Sequence, residues 1–437
     1  MITLCPIPRA LVPADSRAAA RISAPNYDEF QSDEEVREVL RRRPDAVLRV
    51  TMAHCDGAPG EDIGGADSEG SLARAAANMA GLRASADVEE RADLLFVYEI
   101  AGPPRPGVRQ IGLGGFARTD EIRTDRAPAG SIIRNEGIRE AKARGRARLI
   151  EATGAIIGMV NNAVPDEGGR LVTELEAYAD ERPPHLSCEA EDGFVHRVWY
   201  VDTGPERRRL IDLLAHEPEA YVADGNHRSA AAAMLGRRHF LAVFFPMGRM
   251  GIRPYNRLVS GVDPGALADD RLAGAFTVFR TPGGGPVQPG PESEPGGAAG
   301  PLGASRAAPP IGLYTRSGGW RTIIPAGPPE EPGDAASGVA HAVAQRLLFG
   351  GVLGIGDERD ERIRYVGGNR DAAWLAAEVD AGRASVAVTL PPVTMEEFAA
   401  VCREGGMMPP KSTWFVPKVR SGLVMALIGR PERAPYA

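Results

Sequence analysis

Tyr221-Val222-Ala223-Asp224-Gly225-Asn226-His227-Arg228-Ser229-Ala230 is where an apolar run breaks off at an Asp-Gly pair and an alanine-rich segment, continuing to Leu235 and Gly236, begins. A short apolar run ending on a turn pair predicts a buried strand, and the alanines that follow predict a helix, so the segment is a strand, a tight turn and a helix start. Backbone N–H groups at a helix start lack intrahelical acceptors, and the helix dipole favours an anion beside them. Gly225 lets a phosphate come close to the backbone. Arg228 adds a fork of donors matched to phosphate oxygens, while Asp224 can hold Mg²⁺ or take a proton from a hydroxyl. The same residues also suit a plain Asp N-cap with His227 and Arg228 at the edge of a core, and the residues alone leave both readings open.

The chain around this turn has 437 residues, enough for two domains or one large domain with insertions. A net charge of −7 argues against a dedicated nucleic-acid binder, which normally carries a basic footprint. Cys5, Cys55, Cys188 and Cys402 are far apart and form no Cys-x-x-Cys pair or compact metal-ligand spacing, so reduced structural thiols in a cytoplasmic protein are expected. No run of apolar residues is long enough to span a bilayer and no basic segment leads into an apolar core at the start, so neither a membrane span nor a secretory signal is expected.

Upstream, Ala24-Pro25-Asn26-Tyr27-Asp28 leads to Ser32 and Glu35, spaced as a capping box, and a helix to about Arg43 stopped by Pro44. Ala46 to Thr51 has strand character, residues 70–86 helical character, and Leu94 to Ile100 strand character. Ile111-Gly112-Leu113-Gly114-Gly115-Phe116 returns beside that strand. Its glycines lack the Gly-x-Gly-x-x-Gly order of a dinucleotide fingerprint and indicate close backbone packing instead. Arg134-Asn135-Glu136-Gly137 precedes a charged helix over 138–153, which puts Glu136 near a helix start, where a carboxylate is favoured. Phe194 to Val201 alternates as a half-buried strand, with His196 structural, and a helix over 205–216 leads into the central turn.

Downstream, His239 to Pro246 reads as a buried strand. Residues 281–310, dense in Pro, Gly, Ala and Ser, read as a flexible insertion, and a smaller Pro/Gly segment covers 325–338 before a helix at 337–348. Met408-Pro409-Pro410-Lys411-Ser412-Thr413-Trp414-Phe415-Val416-Pro417-Lys418 places a cation and two hydroxyls side by side. It is not a P-loop, because prolines stand where a nest of N–H groups would be needed.

Taken in order, Ala24 to Asp28, Asn135-Glu136, Ala223 to Arg228 and Met408 to Lys418 resemble the motifs of the family catalogued as domain of unknown function 1015. The Asp224 to Arg228 box is also similar to that of free serine kinases related to the ParB/sulfiredoxin fold. The resemblance implies an α+β fold with a ParB/sulfiredoxin-like mixed-sheet core. It divides the chain into an N-terminal segment (1–90), a nucleotide-binding catalytic core (91–262) and a C-terminal α/β part (263–437).

The resemblance further implies phosphoryl transfer from ATP or ADP, with Mg²⁺, to the hydroxyl of free L-serine or a serine-like small molecule. Glu136, Asp224 and His227 take catalytic roles, with Asp224 also the Mg²⁺ ligand. Arg134, Asn135, Gly225, Asn226 and Arg228 bind phosphate or nucleotide, and Tyr27, Asp28, Lys411, Ser412 and Thr413 contact substrate or close over it. Two positions depart from the family pattern: Asn135 and Asn226 stand where it has histidines, and an asparagine carries no positive charge. The competing reading is a ParB-like nucleotide-binding regulator associated with DNA. A sulfiredoxin-like reading lacks a cysteine near the turn, and a scaffold without nucleotide is the remaining alternative. Expected partners are a small molecule and a nucleotide, with no membrane or nucleic acid; a homo-oligomer is left open.

Overall fold

Apolar runs too short for helices and rich in β-branched and aromatic residues dominate the first 250 positions, and they pair into one large sheet. A computed structural model of the chain describes residues 1–57, 61, 63–103, 105–125, 127–280, 308–327 and 334–429. The chain opens with β1 (Leu4–Cys5), β2 (Ile7–Pro13), α1 (Ser16–Ile22), α2 (Asp33–Arg42), α3 (Leu48–Thr51) and α4 (Glu69–Ala84). A long hairpin, β3 (Val88–Gly102) and β4 (Arg105–Arg118), precedes β5 (Ile132–Arg134), α5 (Glu140–Thr153), β6 (Ala155–Ile156), β7 (Val160–Val164) and α6 (Arg170–Asp180). Next come β8 (Leu186–Glu189), β9 (Val195–Val201), α7 (Pro205–Ala215), β10 (Ala220–Asp224), α8 (Asn226–Met234) and β11 (His239–Pro246). Beyond them lie β12 (Gly251–Arg253), β13 (Asn256–Val259), α9 (Asp269–Leu272), β14 (Phe276–Arg280), β15 (Ile311–Thr315), β16 (Gly319–Pro325) and α10 (Ala340–Ala344), which runs into a π-helical turn, Gln345–Val352. The last elements are β17 (Ile363–Val366), α11 (Ala372–Asp380), β18 (Val386–Thr389), α12 (Met395–Arg403), β19 (Trp414–Val416) and β20 (Met425–Leu427).

The fold is α+β, and it separates into two compact units. The first comprises residues 1–134, 138–250 and 417–437, the second residues 135–137 and 251–416. In the first, a twelve-stranded sheet runs β5-β10-β7-β11-β4-β3-β2-β20-β6, with β1 on β4 and β8-β9 on β3. The sheet is mixed: β10 runs parallel to β5 and β11 parallel to β7, while β10–β7 and β11–β4 are antiparallel. One buried cluster joins this sheet to α6 and α7 through Leu171, Leu175, Leu210 and Leu214; a second gathers α1 to α4 around Val36, Leu48 and Met79. The second unit has a six-stranded sheet, β14-β16-β15-β18-β13-β17, and the pair β12-β19.

Most elements fall where the residue pattern puts them, with three differences. Ala46 to Thr51 is no strand: Leu48–Thr51 is a helical turn, because this apolar run is buried on the helical layer around Val36, where a short apolar run carries no periodicity to tell helix from strand. Ser32 caps α2 by accepting from the Glu35 N–H at 3.3 Å, but the Glu35 carboxylate turns to the Gln31 N–H at 2.9 Å, so the reciprocal half of the capping box is displaced by one residue. Helix α5 begins at Glu140, four residues after Glu136, so Glu136 lies outside the first turn and gains no dipole stabilisation. The insertion expected over 281–310 lies outside the described residues except for its last three, and so does 328–333 of the smaller Pro/Gly segment. Among the described residues no helix is long and apolar enough to cross a membrane.

Candidate functional site

Strand β10 ends at Asp224 because the chain must turn there: Gly225 adopts φ +113°, a conformation L side chains rarely take, and caps α8. The turn is also tight, since a Cβ on Gly225 would lie 3.2 Å from Arg228 Nε and 3.2 Å from Val160 Cα. The Arg228 guanidinium folds back under the turn, its Nη2 3.0 Å from Asp224 Oδ1, while its Nη1 donates to the Met159 carbonyl. Burial opposes the charge on Arg228, but Asp224, Asp28 and Tyr27 more than offset it and hold the guanidinium above its ordinary value.

Two other motifs bring their ends to the same place. Asn26 is locked by accepting from Ser421 Oγ at 2.8 Å and donating to the Val419 carbonyl at 2.9 Å, and Ala24 bridges Ser421. That pairing fixes the 3₁₀ turn Tyr27–Glu29 beside the segment that carries Lys418. Lys418 Nζ then stands between two carboxylates, 3.3 Å from Asp224 Oδ2 and 4.0 Å from Asp28 Oδ2. Side-chain exposures of 9% for Lys418, 10% for Arg228, 12% for Asp224 and 15% for Asp28 make this a largely desolvated charge cluster, where Coulomb interactions are far stronger than in water. Glu29 borders it; burial pushes its carboxyl up to about 8, with Lys418 pulling down and Asp28 pushing up. Arg146 stacks on the Tyr27 ring, 3.5 Å from its centroid, and both line a cavity of about 50 Å³ with Gly158, Arg228 and Ser421.

Further residues of the first unit flank the turn. Arg134 ends β5 in register with Val222 of β10; burial pushes its guanidinium down, and no carboxylate pairs with it among the described residues. His227 Nε2 accepts from the Arg139 N–H at 3.1 Å, which requires the proton on Nδ1. Asn226 is buried on the first turn of α8.

The remaining candidates belong to the second unit. Asn135 donates to Thr413 Oγ1 at 3.4 Å and accepts from the Met408 N–H at 2.7 Å, so the Asn135-Glu136 pair is tied to the Lys411-Ser412-Thr413 segment. Lys411 has φ +57°, a left-handed conformation costly for a lysine, with Nζ 5.4 Å from the centre of the Tyr255 ring. Ser412 is 1% exposed, and its hydroxyl has no hydrogen-bond partner among the described residues. The motif from Met408 to Lys418 is thus divided: residues through Val416 belong to the second unit, Pro417 and Lys418 to the first.

Residue reading missed two participants. Lys418 closes a quoted motif, but only the fold brings it to Asp28 and Asp224, which lie far from it in sequence. Asn161 is fully buried, sits opposite Asp224 in the β7–β10 register, and has neither side-chain atom hydrogen-bonded among the described residues. Two adjacent asparagines in the apolar strand Val160-Asn161-Asn162-Ala163-Val164 were visible in the sequence, and a buried polar group without a partner is costly enough to suggest a ligand-facing role.

A family model described as protein of unknown function (DUF1015) matches residues 6–347. The chain belongs to the DUF1015 family. No curated protein matches it. Among solved structures, this DUF1015 chain is similar to a free serine kinase in complex with AMP (14% identity, TM-score 0.36, covering 69% of this chain and 87% of that one). It is likewise similar to SbnI with a C-terminal truncation from Staphylococcus aureus (11%, 0.37, 70% and 84%) and to a conserved hypothetical protein from Pyrococcus furiosus (12%, 0.33, 69% and 90%).

The carboxylates of this DUF1015 protein fit a hard divalent cation. Asp28 Oδ1 is buried with no hydrogen-bond partner among the described residues, and Asp28 and Asp224 already share one cationic group, so two acceptor-only carboxylates converge on a point of positive charge.

Proposed function

We propose that this protein is a nucleotide-dependent kinase that transfers the terminal phosphoryl group of ATP or ADP to the hydroxyl of free L-serine or a serine-like small molecule, giving O-phosphoserine. The observation that carries the reading is the desolvated cluster of Asp28, Asp224, Arg228 and Lys418 around the Gly225 turn, two cations and two carboxylates from three separated motifs. Phosphoryl transfer requires little more of a protein than positioning, neutralisation of charge on phosphate oxygens and one base for the attacking hydroxyl. Gly225 makes the tight turn that brings Asp224 and Arg228 together, and Arg228, Lys418 and Arg134 supply positive charge. Asp28 and Asp224 would hold Mg²⁺, which when bound screens the phosphate charge and orients the transferred group. Glu136 is assigned the base: it takes the proton from the acceptor hydroxyl as the new O–P bond forms and the bond to the leaving nucleotide breaks. Tyr27, Lys411, Ser412 and Thr413 are assigned to holding the acceptor.

The test incubates the purified full chain with Mg²⁺, ATP or ADP and a panel of hydroxy amino acids, with products read by mass. Phosphoserine is expected from the wild type. Glu136→Gln is expected to lower turnover by about 10²- to 10⁴-fold, the usual worth of a general base. No phosphorylated product with any donor and acceptor overturns the kinase reading; unchanged turnover in the variant removes Glu136 from the base role alone.

A further inference from the structure

We propose that Asp33, His54 and Cys55 form a site for a borderline divalent metal ion, with Zn²⁺ the ion it fits best. Asp33 is the first residue of α2, and His54 and Cys55 end the 3₁₀ turn Ala53–Cys55, twenty residues further on. The sequence keeps Asp33 apart from the other two; the fold of the first unit brings one ligand atom of each to within 4.8 Å of the others. His54 Nε2 lies 3.2 Å from Asp33 Oδ1. In a tetrahedral zinc site with metal–N and metal–O bonds of about 2.0–2.1 Å, two such ligand atoms stand about 3.3 Å apart, so this edge of the tetrahedron is already formed. The thiol edges lie within 4.8 Å, against about 3.5 Å between sulfur and nitrogen or oxygen in a closed tetrahedral site, and the turn that carries Cys55 is short.

The donor set decides the class of ion. A thiolate, an imidazole and a carboxylate together suit Zn²⁺ or Co²⁺, whereas Mg²⁺ and Ca²⁺ take oxygen ligands. Cys55 is 4% exposed and packed in the cluster around Val36 and Met52, and the His54 side chain is 10% exposed, while the Asp33 side chain is 53% exposed. The site is therefore walled on its thiol side and open on its carboxylate side, which leaves a fourth position for water. Arg37 and Glu34, one turn and one residue along α2, are paired at 3.5 Å, and Glu34 also pairs with Arg41 at 2.9 Å. On binding, the S–H bond of Cys55 gives way to an S–metal bond and the proton passes to solvent. The ion would clamp the start of α2, four residues after Glu29, to the turn before α4, so its role is structural and independent of the kinase reading.

The experiment uses the full chain stripped of metal and titrated with Co²⁺. Saturation at one equivalent is expected, with a thiolate-to-cobalt charge-transfer band, tetrahedral ligand-field bands, and loss of both on adding Zn²⁺. Cys55→Ser should abolish the charge-transfer band, and His54→Gln should weaken binding by at least about 10- to 100-fold, the loss seen when even an outer-shell partner is removed. Zn²⁺ should raise the melting temperature of the wild type and of Cys188→Ser, and leave that of Cys55→Ser unchanged. Absence of a saturable band overturns the proposal, as does a band that survives in a folded Cys55→Ser variant.

Discussion

Gly225 and Lys418 carry the residue-scale argument, because each has a geometry only one kind of residue satisfies. Alanine at 225 would keep φ +113° only under strain and would press its Cβ to 3.2 Å from Arg228 Nε. Gly225→Ala is expected to cost about 1–3 kcal/mol in denaturant unfolding and to weaken nucleotide binding; an unchanged midpoint would show that the turn relaxes freely. Lys418→Met removes the cation shared by Asp28 and Asp224 while Asp224 keeps Arg228 at 3.0 Å, so the cost should fall below the ~3–5 kcal/mol of a buried charge left wholly unpaired. Adding Asp28→Asn to Lys418→Met should recover part of that loss, and strict additivity would show that the two groups do not interact. The Asp224-Gly225-Arg228 turn was legible from residues because its members are four positions apart and share one local geometry. Lys418 and Asn161 were not, since their partners lie across the sheet, and the dipole argument for Glu136 failed because nothing before Glu140 in that segment had to be helical.

At the scale of elements, the β3–β4 hairpin shows why the glycines of Ile111 to Phe116 are there. In the register Phe96↔Gly114 and Val97↔Leu113, the Phe96 ring lies over Gly114, where a Cβ would be 2.2 Å from Phe96 Cζ; at Gly112 a Cβ would meet the Phe244 carbonyl at 2.4 Å. Ring and carbonyl press on these glycines, so close packing accounts for them rather than a dinucleotide fingerprint, whose spacing they lack. Gly114→Ala is expected to destabilise by about 1–3 kcal/mol, the usual range for overpacking, and a second change, Phe96→Leu, should return part of it; full stability in the single variant would mean the ring moves at no cost. Elements with a clear period or breaker, such as α2 before Pro44 or β9, were readable. The run at 46–51 was not, because a short fully buried apolar segment looks alike in helix and strand, and only its neighbours in the helical layer decide.

For the whole molecule, the largest shifts that bear on stability near neutral pH belong to two buried histidines and the part-buried Glu29, and their signs can be worked out. His196 is buried with its Nδ1 2.7 Å from the Tyr98 hydroxyl, and His341 is buried with Nε2 3.2 Å from the Tyr255 carbonyl; burial, aided by Arg420 for the first and Arg257 for the second, holds both well below their ordinary 6.5. The unfolded chain binds these two protons below about pH 6.5 and the folded chain does not, so stability contributed by both histidines is present above that pH and is lost as pH falls. Glu29 has the opposite sign. Its folded carboxyl is raised from 4.5 to about 8, so between those values the folded state keeps a proton the unfolded state has released, and stability falls as pH rises through that window. Among these three groups the two histidines outweigh the carboxyl from about 4.5 to 6.5, and from 6.5 to 8 the carboxyl acts without them; His185, also lowered, adds to the histidine side, and Glu217 and Glu358, also raised by burial, add to the carboxyl side. Chemical denaturation across this range should therefore show stability rising to a maximum near pH 6.5 and declining by about 1–2 kcal/mol toward pH 8. Glu29→Gln, which keeps the hydrogen-bonding shape of the protonated carboxyl without its titration, should remove the alkaline decline and leave the acid limb in place. A decline of the same size in that variant would place its source in another group.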